Sequence, residues 1–220
     1  MSLSLTIPFE RYTNAFLDTL IMSGISGTVT FFIGIPLAVL LIITQKSGFL
    51  PAPKLNAVLG WFINGFRATP FIVLLVALIP FTRLVVGTTI GVWAAIVPMT
   101  ISAAPFFARI AEVSLREVDH GLIEAAQAMG CNKRHIIWYV LLPEALPGII
   151  GGFTVTLVSI INASAMAGAV GAGGLGDLAL RYGYQRFDTQ VMVIVIVVLI
   201  ALVCLVQLIG DSTARYLRAR

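Results

Sequence analysis

VMVIVIVVLIALVCLVQL, residues 191–208, is eighteen positions long and carries no charge. A run of that length and composition reads as a helix long enough to cross a bilayer. The rest of the chain agrees with it. Hydrophobic residues make up 59% of the 220 positions, charged residues only 11%, and the mean hydropathy is +1.00. A soluble domain carries roughly a quarter of its residues as charge, so this composition cannot clothe a soluble surface. The fold class expected is an all-α, polytopic membrane helical bundle.

Working outward from that run, Thr189–Gly210 is the last of five expected spans and the clearest lipid-facing candidate. The first lies within Thr19–Gln45, 27 uncharged residues ending at a turn marked by Lys46, Gly48, Pro51, Pro53 and Lys54. The first residues lack a basic start followed at once by an apolar run and a small-residue cleavage site, so the first span is expected to stay as a membrane anchor. The second is harder to bound. Ala68–Thr82 has 15 uncharged residues, about 22 Å against a core of about 30 Å. It must therefore recruit residues before Arg67 or let that side chain snorkel. The third span falls within Leu84–Ala108 and the fourth within Ala145–Gly176, a run too long for one straight helix, whose tail AGAVGAGGLG is expected to turn.

Charge orients the bundle. Lys46, Lys54, Arg67, Arg109, Arg116, Lys133, Arg134, Arg215, Arg218 and Arg220 fall on one side, against Arg11, Arg83, Arg181 and Arg186 on the other. The richer side is the cytoplasm, which puts the amino terminus outside and the carboxyl terminus inside. The net charge of +4 is explained by that inner face, with no Lys/Arg block for nucleic acid. His120 and His135 are too sparse for a metal cluster, and Cys131 and Cys204 give no disulfide framework.

Between the third and fourth spans, Arg109–Glu144 is polar and patterned. Ser114 and Glu117 fit a capping box. Leu115, Val118, Leu122, Ala126 and Met129 then recur at helical spacing, Gly130 ends the helix, and Asn132 caps the next. An amphipathic helix there either lies in the headgroups or inserts its apolar stripe into a cytoplasmic partner. Glu112, three and four residues from Arg109 and Arg116, is placed for pairing rather than proton relay.

Glu124-Ala125-Ala126, then Gly130, then Val140, Leu142 and Pro143 resemble the EAA motif of ABC importer permeases, the binding-protein-dependent transport inner membrane components. RATPFIVLL at Arg67–Leu75 and ASAMAGAVGAGGLGDLA at Ala163–Ala179 resemble the methionine-importer branch of that family, although Ala163 stands where relatives commonly carry Tyr. The resemblance implies a type I permease fold filling residues 1–220 as a single transmembrane domain, with a coupling segment at about 109–144. It implies a coupling helix docked in a cleft of the ATP-hydrolysing subunit, with Glu117, Leu122, Glu124, Ala125, Ala126, Met129 and Gly130 at the contact. It also implies a second copy of the chain, two cytoplasmic ATP-binding subunits, an external substrate-binding lipoprotein, a bacterial inner-membrane location, and methionine as the transported small molecule. No cofactor is expected on this chain, because no lysine follows a glycine as G-x-x-x-x-G-K-[ST] demands; ATP is expected to be split by the partner.

Other features have two readings. Gly171, Gly173 and Gly176 satisfy G-x-G-x-x-G, but without a strand before them they favour a tight turn or close helix approach over a dinucleotide site. Gly24, Gly27 and the pair Gly148-x-x-x-Gly152 are candidates for close helix contact. Pro36, Pro98 and Pro105 are either breaks along a path or ordinary kinks. Met166, a long flexible side chain among small ones, either gates a pore or fills a void; Asn162 and Ser164 either line the path or bond across helices. A permease for another small amino acid, or a scaffold subunit without a pore, fits the composition as well; no residue cluster suits a membrane enzyme.

Overall fold

The computed structural model describes residues 7–46 and 48–219. Their regular structure is helical: α1 (Phe9–Ile43), α2 (Pro53–Ala68), α3 (Phe71–Ala77), α4 (Ile79–Val86), α5 (Val92–Arg116), α6 (His120–Ala128), α7 (Lys133–Ile136), α8 (Leu142–Gly168), α9 (Gly174–Leu178) and α10 (Thr189–Arg218). Two π-helical turns, Ile137–Leu141 and Ala179–Tyr184, follow α7 and α9. The first has a local cause. Pro143 cannot donate to the carbonyl four residues back, and the widened turn before it lets the Leu142 amide reach the Ile137 carbonyl instead. Lys133–Gly168 thereby runs on through Pro143 as one membrane-length helix.

Among the described residues, four helices are long and apolar enough to cross a membrane: α1, α5, the Lys133–Gly168 helix and α10. The pair α2 and α3, bent by 105°, passes the same test only when taken together, which gives five candidate spans when the bent pair counts as one. Residues before Arg67 are helical, as recruitment into the second span would require, and the bend falls at Thr69-Pro70, where proline has no amide to donate and the residue before it is pushed out of helical geometry. The third span starts inside the expected Leu84–Ala108 and runs beyond it, to Arg116. Gly87 (φ 81°) and Gly91 (φ 95°) hold left-handed conformations that stop a right-handed helix, so Leu84–Val86 close α4 and α5 starts at Val92. Once started, α5 continues through Pro98 and Pro105, as α1 does through Pro36. These prolines are tolerated within packed helices rather than breaking them.

The chain forms two compact units. One comprises the chain up to Val29, Thr69–Ala103 and Leu157–Val206. Its core joins Met22, Met99, Ile160 and Ala167, and a second cluster joins Tyr12, Ala15, Leu175, Val191 and Val195. Val193, Val197 and Ile200 of α10 point away from this core, as the lipid-facing reading expects. The other unit comprises Thr30–Ala68, Ala104–Thr156 and the chain from Gln207. Phe107, fully buried, is its centre: Phe31 stacks on it at 5.7 Å and Phe153 meets it edge-on at 5.3 Å. Gly148 and Gly152 of α8 lie against Ser114 and Ile110 of α5, where an added Cβ would come within 2.8 Å and 2.3 Å of a side-chain atom. The small-residue spacing therefore does mark a close helix contact. Gly24, by contrast, has open space where its Cβ would be.

Candidate functional site

In the second unit, α6 hangs between α5 and α7. Its start differs from the expected capping box. Ser114 lies inside α5, its hydroxyl donating back to the Ile110 carbonyl at 3.4 Å, and Glu117 sits exposed in the turn that follows. The cap is Asp119, whose Oδ1 accepts the Gly121 amide at 2.8 Å. The membrane helix runs on past Ser114 because its end is anchored. The Glu112 carboxylate, almost wholly buried, takes Arg109 at 2.6 Å and Arg116 at 2.5 Å, and Gln45 from the end of α1 donates to the same group at 2.9 Å. The i,i+3 and i,i+4 spacing made the two arginines legible in advance. Gln45, 67 residues away, carried no such signal.

The end of α6 is as the spacing requires. Gly130 has φ 78°, its amide donates to the Gln127 carbonyl at 2.9 Å, and the Cys131 amide reaches the Ala126 carbonyl at 3.1 Å. That pair of bonds is a Schellman closure. Asn132 does occupy the position before α7, without a side-chain capping bond.

The apolar stripe of the segment divides. Leu115, Val118 and Ala126 are buried, and Ile123 packs behind them. Leu122 and Met129 face out, Met129 being 76% exposed, with exposed Ala125 between them. The positions 122, 125 and 129 lie along one edge of the helix, so α6 carries an uncovered apolar edge. Glu124 falls on a different side. With His120, Gln127, Gln45, Arg116 and Lys133 it lines a polar cavity of about 590 Å³. Lys133 closes one wall by donating to the Phe49 carbonyl at 2.6 Å.

The first unit holds the residues expected at a path or gate. Asn162 and Met166, four apart on α8, are both exposed, and Ser159 shares their face. Ser159 was missed, though its spacing of three from Asn162 placed it there. Ser164 is separated from them: it is buried, and its hydroxyl donates to the Ile161 carbonyl at 2.7 Å. Its donor is thus used within its own helix.

Just beyond, the glycines do structural work. Gly171, Gly173 and Gly174 hold positive φ in the turn between α8 and α9. A Cβ on Gly176 would lie 2.2 Å from the Ala165 carbonyl oxygen, and one on Gly168 would lie 2.3 Å from the Asp177 amide. The Leu175 amide donates to the Thr19 hydroxyl at 2.9 Å. The G-x-G-x-x-G pattern is thus the signature of a tight turn and a backbone-to-backbone contact.

With this geometry in hand, comparison with known proteins identifies relatives. A family model described as "Binding-protein-dependent transport system inner membrane component" matches residues 31–220. The chain is 54% identical over 198 residues to the probable D-methionine transport system permease protein MetI of Vibrio cholerae, covering 90% of this chain and 88% of that one. It is 43% identical to the methionine import system permease protein MetP of Bacillus subtilis, covering 82% of each. Among solved structures, a chain of the MetNI methionine ABC transporter, described in inward-facing conformations, superposes with a TM-score of 0.94 at 46% identity, covering 99% of both chains.

Proposed function

The chain belongs to the family of binding-protein-dependent transport system inner membrane components, and on that premise we propose that it is the permease subunit of an ATP-driven methionine importer. The observation that carries the reading is α6. A short helix capped at both ends, held between two spans and showing an uncovered apolar edge at Leu122, Ala125 and Met129 is built to be received by a cleft in another protein.

The whole chain, residues 1–220, acts as one permease domain, and 109–144 is its coupling segment. Glu117, Leu122, Glu124, Ala125, Ala126, Met129 and Gly130 form the coupling element. Leu122, Ala125 and Met129 make the apolar contact, and Ala126 and Gly130 hold the helix in shape. Glu117 and Glu124 offer carboxylates to donors on the partner. That partner is a cytoplasmic ATP-binding subunit, present twice, which hydrolyses ATP; the permease binds no cofactor of its own. A second copy of this chain completes the path, and an external lipoprotein delivers the substrate. Asn162 and Met166, joined by Ser159, face the path, and the flexible Met166 thioether side chain closes it between cycles. The protein resides in the bacterial inner membrane with its amino terminus outside and its carboxyl terminus in the cytoplasm. It does not act on nucleic acid.

Two measurements test the proposal. Reconstituted with its ATP-binding subunit and lipoprotein, the chain should accumulate methionine only when ATP is supplied; uptake of a different solute with methionine neither carried nor competing would overturn the substrate. Glu124→Lys and Gly130→Asp should each release a tagged ATP-binding subunit on co-purification while leaving a normally inserted permease. Retention at parental stoichiometry with transport intact would make α6 a lipid-surface helix.

A further inference from the structure

A second feature of the unit that holds α6 uses none of the residues assigned to the contact with the ATP-binding subunit. Phe31 and Phe32 of α1 form one wall of an apolar groove of about 420 Å³, and Leu142, Leu146 and Ile149 of α8 form the other. Trp138 stands at its end, and both Trp138 (68%) and Phe32 (71%) are largely exposed. One helical turn before Trp138, on the same side of its helix, is Arg134, exposed and without an ion-pair partner among the described residues. Its neighbour Lys133 is already committed to the Phe49 carbonyl. Tyr139, next in sequence and stacked on His135 at 5.2 Å, is exposed as well.

From Arg134 to Ile149 the order is therefore cation, amphipathic aromatics, apolar groove. That is the order in which a bilayer changes from phosphate to headgroup boundary to hydrocarbon. Trp and Tyr favour the boundary level, and a basic side chain just outside it attracts anionic headgroups. A protein occupant would have to cover an indole and a lone cation together. One lipid supplies an acyl chain and a phosphate already in that order, and a zwitterionic lipid supplies no net charge.

We propose that the groove between α1 and α8 is a binding site for an anionic glycerophospholipid of the leaflet on the α6 side, its acyl chain between Phe32 and Leu146 and its phosphate at Arg134. The inference rests on α1 and α8 crossing the membrane and is independent of which solute is carried. By holding α1 to α8, the lipid would stabilise the side of the bundle from which α6 departs.

Tryptophan quenching tests it on the full chain. Trp61→Phe with Trp93→Phe leaves Trp138 as the single tryptophan. The protein is reconstituted in phosphatidylcholine vesicles with increasing fractions of dibrominated phosphatidylglycerol or dibrominated phosphatidylcholine. Half-maximal quenching should need about fivefold less of the anionic lipid, and Arg134→Gln should erase that difference. Equal quenching by both lipids would show an ordinary lipid-bathed face and overturn the site. No quenching by either would show that protein covers the groove, and a preference surviving Arg134→Gln would overturn the headgroup assignment.

Discussion

The chain turns back between spans twice in its second half, and the two connectors are built on opposite principles. Between α5 and α8, the connector leaves side chains uncovered: Leu122, Ala125 and Met129 face out, and the helix is held by an Asp119 cap, a Gly130 closure and the ion pairs of Glu112. Between α8 and α10, the connector packs backbone on backbone, with Gly168 and Gly176 admitting no side chain. The first spends hydrogen bonds and charge to display an apolar edge. The second uses the absence of side chains to bury itself. A surface meant for a partner must be rigid before the partner arrives; a turn that only closes a unit needs density.

Substitutions that exchange these principles should differ widely in effect. Gly176→Val sets a branched side chain where even a Cβ meets the Ala165 carbonyl at 2.2 Å. Backbone cannot step aside as a flexible side chain does, so the loss should reach at least about 3 kcal/mol. Size-exclusion of detergent-purified protein should show little monodisperse material; parental yield and melting would mean the packed connector tolerates repacking.

Glu112→Ala should come next, removing a common acceptor from Arg109, Arg116 and Gln45. Both arginines are partly exposed and regain water, so the cost is that of charge-assisted bonds, about 2 kcal/mol, rather than of stranded charges. A lower thermal midpoint with ATP-binding subunit still bound is the expected result. An unchanged midpoint would show that Glu112 does not anchor the root of α6.

Asp119→Ala should cost about 1 kcal/mol through loss of the cap, read as faster amide exchange confined to α6. Uniform exchange across the chain would remove the capping role. The smallest effect on stability belongs to Leu122→Ser with Met129→Ser, since both side chains are already exposed and such surface changes stay within about 0.5 kcal/mol. Melting should not move while co-purification of the ATP-binding subunit falls severalfold. If association persists, the displayed edge is not the docking surface, and the contrast between the connectors loses its functional meaning.

Much of this was legible from residue order. The spans α1 and α10 announce themselves as charge-free runs, because crossing a bilayer is a requirement on local composition that neighbours in space do not alter. The close of α6 at Gly130 is equally local, since a left-handed residue three to four residues from the last carbonyls is a property of the helix end itself. Arg109, Glu112 and Arg116 share a face for the same reason.

Tertiary structure decided the rest. Pro98 and Pro105 stay inside α5, whereas the chain bends by 105° at Thr69-Pro70. Ser114 met the spacing for a cap, yet it lies inside α5 against Gly148 of α8, and the task falls to Asp119. Asn162, Ser164 and Met166 are neighbours in sequence, but packing buries Ser164 and leaves the other two in the open. Gln45 reaches Glu112 across 67 residues. Local composition determines that a segment is helical and crosses the membrane, because those energies sum along the chain. Which face is covered, which cap is used and which helix bends are set by contacts between distant segments, which no window of sequence contains.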